Sequence, residues 1–262
     1  MIPRLCSQAL SWVDLTVAIS RTTASSLFQN FHASRVEVVP MGIDDQRIDE
    51  LSALPDPDQQ YDFITVGRLT SYKRHSDFVA ALSILKRRYG WKGLAAVVGS
   101  GPRFPVLIQQ SRELGVESNI VFLGAVSEEA KFRALRSSRI FVLPSEREGF
   151  SLSTLEAMIV GLSPIVAKPV LPENFGVRDL VVPGVTGEVY PCGNTEALAA
   201  LMHRLLDSPD ERARLTRKGF ASAQQFRWSR IVEGFEAILA GTVHNDVSGE
   251  TIDRSATIVS TS

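Results

Sequence analysis

The chain has 262 residues, of which 44% are hydrophobic and 22% are charged, and its formal net charge is -1. This composition is ordinary for a globular protein, and the absence of a basic field argues against a nucleic-acid partner. The two cysteines, Cys6 and Cys192, are far apart and lack zinc-site spacing, so we expect reduced thiols in a cytoplasmic protein. The four histidines are scattered, so no metal site is expected.

The first part of the chain offers little that could fold alone. Two short strands are predicted at Leu15–Ile19 and Val36–Val39, with one helix at Thr22–Phe31 between them. A proline-rich connection follows at Leu54–Asp58. This is too little for an independent core, so residues 1–55 are not expected to fold alone.

Strands and helices alternate from Tyr61 onward. The strand candidates are Phe63–Val66, Leu94–Val98, Ile120–Leu123, Ile140–Leu143 and Pro164–Ala167. The helix candidates are Asp77–Tyr89, Phe104–Leu114, Glu128–Ser137, Leu152–Val160, Glu196–Leu206, Asp210–Phe226 and Ser229–Leu239. Continuous apolar strands separated by helices indicate a parallel sheet covered on both faces. Residues 56–241 are therefore predicted to form a doubly wound, Rossmann-like α/β domain.

The end of the chain has a different composition. Residues 242–262 are rich in Thr, Ser, Asp and Asn and nearly free of large apolar side chains, which predicts a disordered tail. No apolar run in the sequence reaches the roughly 20 residues that cross a bilayer, so no membrane-spanning segment is expected.

One candidate site motif follows the strand Phe63–Val66. Gly67 lets the chain turn sharply, and Arg68 and Lys73 place two cations just beyond the strand end. Doubly wound folds bind ligands at such strand ends, and two fixed cations near a helix start suit a diphosphate without a metal. The alternative is a pair of solvated surface charges.

A glycine-rich motif, Gly99-Ser100-Gly101-Pro102, follows the next strand. It resembles part of a dinucleotide fingerprint, but Phe104 replaces the third glycine and no acidic ribose ligand follows at the expected distance. A NAD or FAD site is therefore disfavoured, and a tight strand-to-helix turn is the alternative. A further motif, Phe122-Leu123-Gly124, indicates fold and not function.

The most specific motif lies between the strand that ends at Leu143 and the following helix. Its loop contains Glu148 and Gly149, and the helix is predicted to begin near Ser151, where free N–H groups can bind a phosphate. Glu148 could accept hydrogen bonds from sugar hydroxyls, and Glu156 could reach a ribose diol. The spacing Ser153-x-x-Glu156 also fits a capping box, in which Glu156 would only cap its own helix.

Together and in this order, the motifs resemble the C-terminal half of the family 4 glycosyltransferases, whose signature is two glutamates spaced like Glu148 and Glu156. The resemblance implies a retaining enzyme of the GT-B fold that transfers a hexose from a UDP-, GDP- or ADP-sugar to a glycan or lipid-linked acceptor, with no cofactor and no metal. The catalytic residues it implies are Glu148, which would meet the donor sugar, and Arg68 and Lys73, which would hold the diphosphate and stabilise the leaving group.

The resemblance also implies the substrate-binding residues. Glu156 would bind the ribose, the backbone near Val126 the base, and backbone N–H groups after Gly149 the phosphate or the sugar. The complete predicted set is Gly67, Val126, Gly149, Phe150, Ser151, Leu152 and Glu156. One element departs from the family pattern: Phe175-Gly176-Val177-Arg178-Asp179 stands where the family has Gly-Gly-x-x-Glu.

The resemblance implies that residues 1–55 are the remnant of the family's N-terminal, acceptor-binding domain with its linker. The rest of that domain would precede Val13. In the family the final helix packs on that domain, and Trp228, Ile231, Phe235 and Leu239 recur here at helical spacing. We therefore expect association with a second copy or with a separately encoded N-terminal half. The alternatives to a transferase are a non-catalytic nucleotide-sugar-binding remnant, the donor subunit of a split enzyme, and a Rossmann-type oxidoreductase. Peripheral membrane attachment stays open.

Overall fold

The structure, a computed structural model, describes residues 12–31, 35–54, 58–171 and 175–248 together with Leu10 and Ala33. Its strands and helices in chain order are β1 (Thr16–Ala18), α1 (Arg21–Phe31), β2 (Val36–Val38), α2 (Asp45–Ala53), β3 (Tyr61–Val66), α3 (His75–Tyr89), β4 (Ala95–Val98), α4 (Phe104–Glu113), β5 (Ile120–Gly124), α5 (Glu128–Arg136), β6 (Ser138–Leu143), α6 (Leu152–Ile159), β7 (Ser163–Lys168), β8 (Glu188–Pro191), α7 (Thr195–Asp207), α8 (Pro209–Ala223) and α9 (Trp228–Ser248).

The larger sheet has six parallel strands in the order β5-β4-β3-β6-β7-β8, which confirms the predicted doubly wound α/β fold. The chain builds outward from β3 to β5 and then returns, so that β6 pairs with β3 on its other side, with Phe63 opposite Ile140. The connections that leave β3 and β6 therefore start side by side at the carboxyl edge. Doubly wound folds bind ligands at this reversal point.

Both faces of this sheet are covered. Successive side chains of the central strands point to opposite faces, so Phe63 and Ile140 join one buried cluster while Ile64 and Phe141 join the other. Residues of α3, α4 and α7 complete the first cluster, and residues of α2, α5 and α6 contribute to the second. Because both faces are buried, these strands are continuously apolar rather than alternating.

We call the six-stranded sheet with the helices that cover it the larger unit. Two of its elements were not predicted. The carboxylate of Asp44 accepts a hydrogen bond from the N–H of Gln46 at 2.9 Å and starts α2, whose Ile48 and Leu51 lie in the main core. These residues were assigned to the N-terminal segment from the sequence, but in the structure they belong to the larger unit. Strand β8 was missed because Glu188 and Pro191 flank its two apolar residues, of which Tyr190 is fully buried.

The N-terminal segment forms a small separate layer. Strands β1 and β2 pair in parallel, and α1 packs on them with Ala18, Ala24 and Val36 as its buried residues. Val17 and Ile19, on and just after β1, are both partly exposed. This sheet has only two strands within the described residues, and part of its apolar surface is exposed.

Helix α9 is longer and more deeply anchored than the sequence pattern indicated. The Asp45 carboxylate accepts hydrogen bonds from the N–H and the Oγ of Ser229 at 2.9 and 2.8 Å. The helix continues to Ser248, so residues 242–248 are helical rather than part of a disordered tail, and residues 249–262 lie outside the described residues. No helix in the described part of the chain is long and apolar enough to cross a membrane.

The apolar residues exposed on α9 differ in one member from the predicted set of Trp228, Ile231, Phe235 and Leu239. Ile231 is buried in the main core and needs no further partner, because it packs beside Gly42 and Phe226. We define the exposed stripe as the residues at helical spacing whose side chains lie on the outer face: Trp228, Val232, Phe235 and Leu239. Trp228, the largest of these side chains, is 50% exposed.

Candidate functional site

Two loops meet where the sheet reverses. The first loop, residues 67–74, follows β3, and the second loop, residues 144–151, follows β6. The Nζ of Lys73 donates to Oε1 of Glu148 at 2.7 Å, and the two side chains are only 16% and 9% exposed. Two of the predicted catalytic residues, distant in sequence, are thus in direct contact at the expected edge of the sheet.

Tyr72 organises the cations around this pair. Its hydroxyl accepts from Nη2 of Arg68 at 2.8 Å, and its ring centroid lies 5.5 Å from the guanidinium carbon of Arg147 and 5.8 Å from Nζ of Lys73. Its carbonyl accepts from the N–H of Glu146 at 2.8 Å and joins the two loops. The sequence pattern did not single out Tyr72, because an aromatic residue in a loop carries no spacing signal.

His75 is a second residue that the sequence analysis left without a role. Its buried ring lies near Gly67, where an added Cβ would be 3.8 Å from the ring's Cε1. Nδ1 has no hydrogen-bond partner within the described residues. Burial, and then the charge of Lys73, lower the pKa of His75 to about 4, so the imidazole is neutral at neutral pH.

The glycine-rich turn after β4 packs against the first loop. Gly99 and Gly101 have φ values of 134° and 156°, which favour glycine. A Cβ on Gly101 would be 2.5 Å from the carbonyl oxygen of Leu69, and one on Gly99 would overlap the carbonyl oxygen of Gly67. The N–H of Leu69 also donates to the carbonyl of Ser100 at 2.9 Å. The geometry thus favours the tight-turn interpretation of this motif.

The second loop ends in an unusual backbone conformation. Ser151 has a φ of 82°, which is strained for a residue with a side chain, and its Oγ lies 2.8 Å from Oγ1 of Thr154. The side chain of Phe150 is buried against Phe226, so only the backbone of this predicted substrate-binding residue can face a ligand. Within the described residues no acceptor is found for the N–H groups of Phe150, Ser151 and Leu152, where α6 begins.

Glu156 lies on α6 and contacts a residue of another helix. Its Oε1 accepts from Nζ of Lys131 on α5 at 2.9 Å, and the two side chains are 8% and 12% exposed. The alternative of a capping box at Ser153-x-x-Glu156 is therefore not realised: the N-cap is Ser151, not Ser153, and Glu156 does not cap α6. Burial raises the pKa of Glu156, and the hydrogen bond and charge of Lys131 oppose this increase.

The element that departs from the family pattern still lies against the second loop. The N–H of Gly176 donates to the carbonyl of Glu148 at 2.8 Å, and a Cβ on Gly176 would overlap the carbonyl oxygen of Gly149. One glycine thus suffices for this close approach. The carboxylate of Asp179 accepts from the N–H of Arg21 at 2.8 Å and joins α1 to the larger unit.

Val126 lies on a third loop of the same sheet edge. It follows β5, two strands away from β3, and its side chain packs partly buried against the core. The next residue, Ser127, caps α5, the helix that carries Lys131. Across the described ranges, no group of three or more His, Cys, Asp or Glu side chains could hold a metal ion.

Comparison with known proteins finds a matching family model and solved structures with a similar fold. Residues 46–221 match the family model described as "Glycosyl transferases group 1". N-acetyl-alpha-D-glucosaminyl L-malate synthase of Bacillus anthracis is 29% identical over 188 residues, which cover 71% of this chain and 47% of that protein. D-inositol 3-phosphate glycosyltransferase of Salinispora tropica is 29% identical over 248 residues, 86% of this chain and 50% of that protein. The chain spans about half the length of these relatives.

Solved structures share the fold at lower identity. A glycosyltransferase from Rickettsia africae has a TM-score of 0.79 at 18% identity, over 93% of this chain and 68% of that one. Anabaena HepE, in complex with UDP and glucose, has a TM-score of 0.76 at 21% identity, over 91% of this chain and 66% of that one. The fold of the described residues is thus that of the C-terminal half of a GT-B glycosyltransferase.

Proposed function

The chain belongs to the group 1 glycosyl transferases, and from this premise we propose that its six-stranded unit binds the nucleotide-sugar donor of a retaining hexosyl transfer. The observation that carries the proposal is the Lys73–Glu148 contact at the reversal point of the sheet. A cation for the diphosphate and a carboxylate for the sugar stand together at the edge where such folds bind ligands.

The cations of the first loop suit a diphosphate. The charge of Lys73 is partly neutralised by Glu148. The guanidinium of Arg68, in contrast, makes its only hydrogen bond within the described residues to the neutral hydroxyl of Tyr72. The free N–H groups at the start of α6 add partial positive charge. Such groups stabilise the negative charge that develops on a departing diphosphate, which is the role we assign to Arg68 and Lys73.

Glu148 is held for contact with the donor sugar. Lys73 fixes Oε1, and the hydrogen bond from Gly176 to the carbonyl of Glu148 fixes the backbone. The second carboxylate oxygen is left to accept hydrogen bonds from sugar hydroxyls. In this proposal Glu156 binds the ribose, and the backbone near Val126 meets the base.

A nucleotide sugar as donor is supported by the contents of structures with the same fold. HepE was solved with UDP and glucose, and the pneumococcal O-GlcNAc transferase GtfA with UDP and GlcNAc. The names of the relatives indicate hydroxylated acceptors, L-malate and D-inositol 3-phosphate. For this chain we propose a glycan or lipid-linked acceptor, and a UDP-, GDP- or ADP-sugar as donor.

A complete transferase also needs an acceptor-binding surface. The exposed stripe of α9 and the partly exposed Val17 and Ile19, on and just after β1, are surfaces that a second copy or a separately encoded N-terminal half would cover. A donor subunit that is inactive without such a partner, or a binding remnant without turnover, is the second candidate. The partly uncovered apolar surface favours it over an enzyme that acts alone.

Transfer in the presence of an N-terminal half separates these candidates. The chain, co-expressed with the N-terminal half of a relative, is expected to hydrolyse or transfer from a nucleotide sugar, and Glu148→Ala is expected to abolish this turnover. Binding of the nucleotide without turnover in any such combination would favour the remnant. Binding of NAD in preference to UDP, GDP and ADP would contradict both.

A further inference from the structure

The proposed function gives a role to Glu156 but none to Lys131, which contacts it. Nζ of Lys131 donates to Oε1 of Glu156 at 2.9 Å and also to both carboxylate oxygens of Glu128, at 2.8 and 2.7 Å. Glu128 is largely exposed, whereas Lys131 and Glu156 are nearly buried. The ammonium therefore joins a solvent-facing carboxylate to one inside the site.

The arrangement leaves part of Glu156 available. Oε2 of Glu156 has no hydrogen-bond partner in the described part of the chain, because Lys131 occupies Oε1 alone. Nζ of Lys131 also lies 5.0 Å from the ring centroid of Phe132, which adds to its fixation. A carboxylate held at one oxygen and free at the other is an acceptor for two neighbouring hydroxyl groups.

We propose that Lys131 is a positioning residue for the nucleotide: it fixes Glu156 through Oε1 so that the rest of the carboxylate accepts the hydroxyls of the ribose. The inference rests on the proposed function, since a ribose reaches Glu156 only when the sheet edge binds a nucleotide. The competing explanation is an ion pair that merely joins α5 to α6. The two differ in what they predict for the 2′-hydroxyl.

The charged groups around Glu156 should make nucleotide affinity depend on pH. Burial raises the pKa of Glu156, Lys131 lowers it by hydrogen bonding and charge, and Glu128 raises it. These two residues, both on α5, are the charged groups that influence Glu156 within the described chain. Removing Lys131 therefore raises the pKa of Glu156 further. Because a protonated carboxyl accepts hydroxyl hydrogen bonds poorly, nucleotide affinity should then fall at a higher pH as the solution is acidified.

The test uses Lys131→Met and a matched control. The control is Arg133→Met on the same helix, which removes an exposed pair with Glu129 that does not touch Glu156. Isothermal titration with UDP, GDP and ADP selects the nucleotide, and its 2′-deoxy form is compared across pH. Wild type is expected to prefer the ribonucleotide roughly tenfold, and Lys131→Met to lose most of that preference. Its affinity should also fall at a higher pH than that of wild type, while Arg133→Met behaves as wild type.

The outcomes separate this inference from the proposed function. A wild type that binds no nucleoside diphosphate defeats both. A wild type that binds one without ribose preference, or a Lys131→Met that keeps that preference or binds more tightly, overturns the role of Lys131 and leaves donor binding in place. Lys131→Gln, which is uncharged but polar, gives the same pH readout if Lys131→Met does not fold, and an unchanged pH profile would overturn the inference.

Discussion

Nζ of Lys73 lies 2.7 Å from Oε1 of Glu148, across two loops that follow neighbouring strands of the sheet. The contact exists because β6 returns to pair with β3 after the chain has passed through β4 and β5. It brings together a cation and a carboxylate that the sequence separates by 75 positions. The two side chains are sheltered enough for their attraction to contribute to stability.

Removing one member of this pair should cost more than removing both. Lys73→Met leaves the Glu148 carboxylate without its partner and is expected to lower the free energy of unfolding by about 1 to 3 kcal/mol. Adding Glu148→Gln to that variant should recover part of the loss, because no unpaired charge remains. Urea unfolding of the wild type, the two single variants and the double variant measures this coupling. Strictly additive losses would mean that the contact contributes nothing.

His75 should make the protein less stable in mild acid. Its pKa is about 4 when folded against about 6.5 when unfolded, so the unfolded state binds the proton more readily. The free energy of unfolding therefore has its full value above pH 6.5, and it decreases as the pH falls toward 4. Between pH 7 and pH 5 the loss should be about 2 kcal/mol. His75→Gln should remove this part of the pH dependence in urea unfolding, and a variant with the same slope as wild type would refute the assignment.

Gly176 should not tolerate a side chain. Because an added Cβ would overlap the carbonyl oxygen of Gly149, Gly176→Ala must displace the second loop, and it should weaken nucleotide binding and lower the melting temperature. Gly234→Ala is the matched control, because Gly234 is in helix α9 with open space around it. The control should be stabilised by roughly 0.5 to 1 kcal/mol. Equal effects of the two substitutions would contradict the close approach.

The exposed stripe of α9 should drive association. Light scattering at micromolar concentration is expected to give a mass above that of the monomer, and Phe235→Glu should reduce it, because a charge would be buried in the contact. Glu236→Gln, at the next and exposed position, is the control and should leave the mass unchanged. A well-behaved monomer for wild type would count against a partner surface on this helix.

The sequence predicted the doubly wound parallel sheet and assigned the candidate site to its carboxyl edge, because both inferences depend on local patterns. Continuous apolar strands give a covered parallel sheet, and glycines and cations after strand ends give loops at its carboxyl edge. Strand β8 was not predicted because its two apolar residues, Val189 and Tyr190, lie between Glu188 and Pro191 and form no apolar run. Helix α2 escaped because its two core residues, Ile48 and Leu51, stand alone among polar ones.

The contacts at the candidate site that the sequence did not predict are long-range ones. Lys131 on α5 reaches Glu156 on α6, and Tyr72 joins the two loops through Glu146. The alternative capping box at Ser153 does not form, because the helix starts after a left-handed Ser151, two residues before Ser153. Neither kind of information is contained in residue type and spacing.

Titration calorimetry with UDP, GDP and ADP tests the central claim, donor binding at the two loops, most directly. Wild type is expected to bind one of them, and Arg68→Ala to weaken that binding roughly tenfold or more, because a charge-assisted phosphate contact is lost. Tyr72→Phe should weaken it less, by freeing Arg68 from its hydroxyl partner. Arg88→Ala, an exposed arginine at the far end of α3, should change nothing. Failure of wild type to bind any of the three nucleotides, or equal binding by Arg68→Ala, would contradict the account.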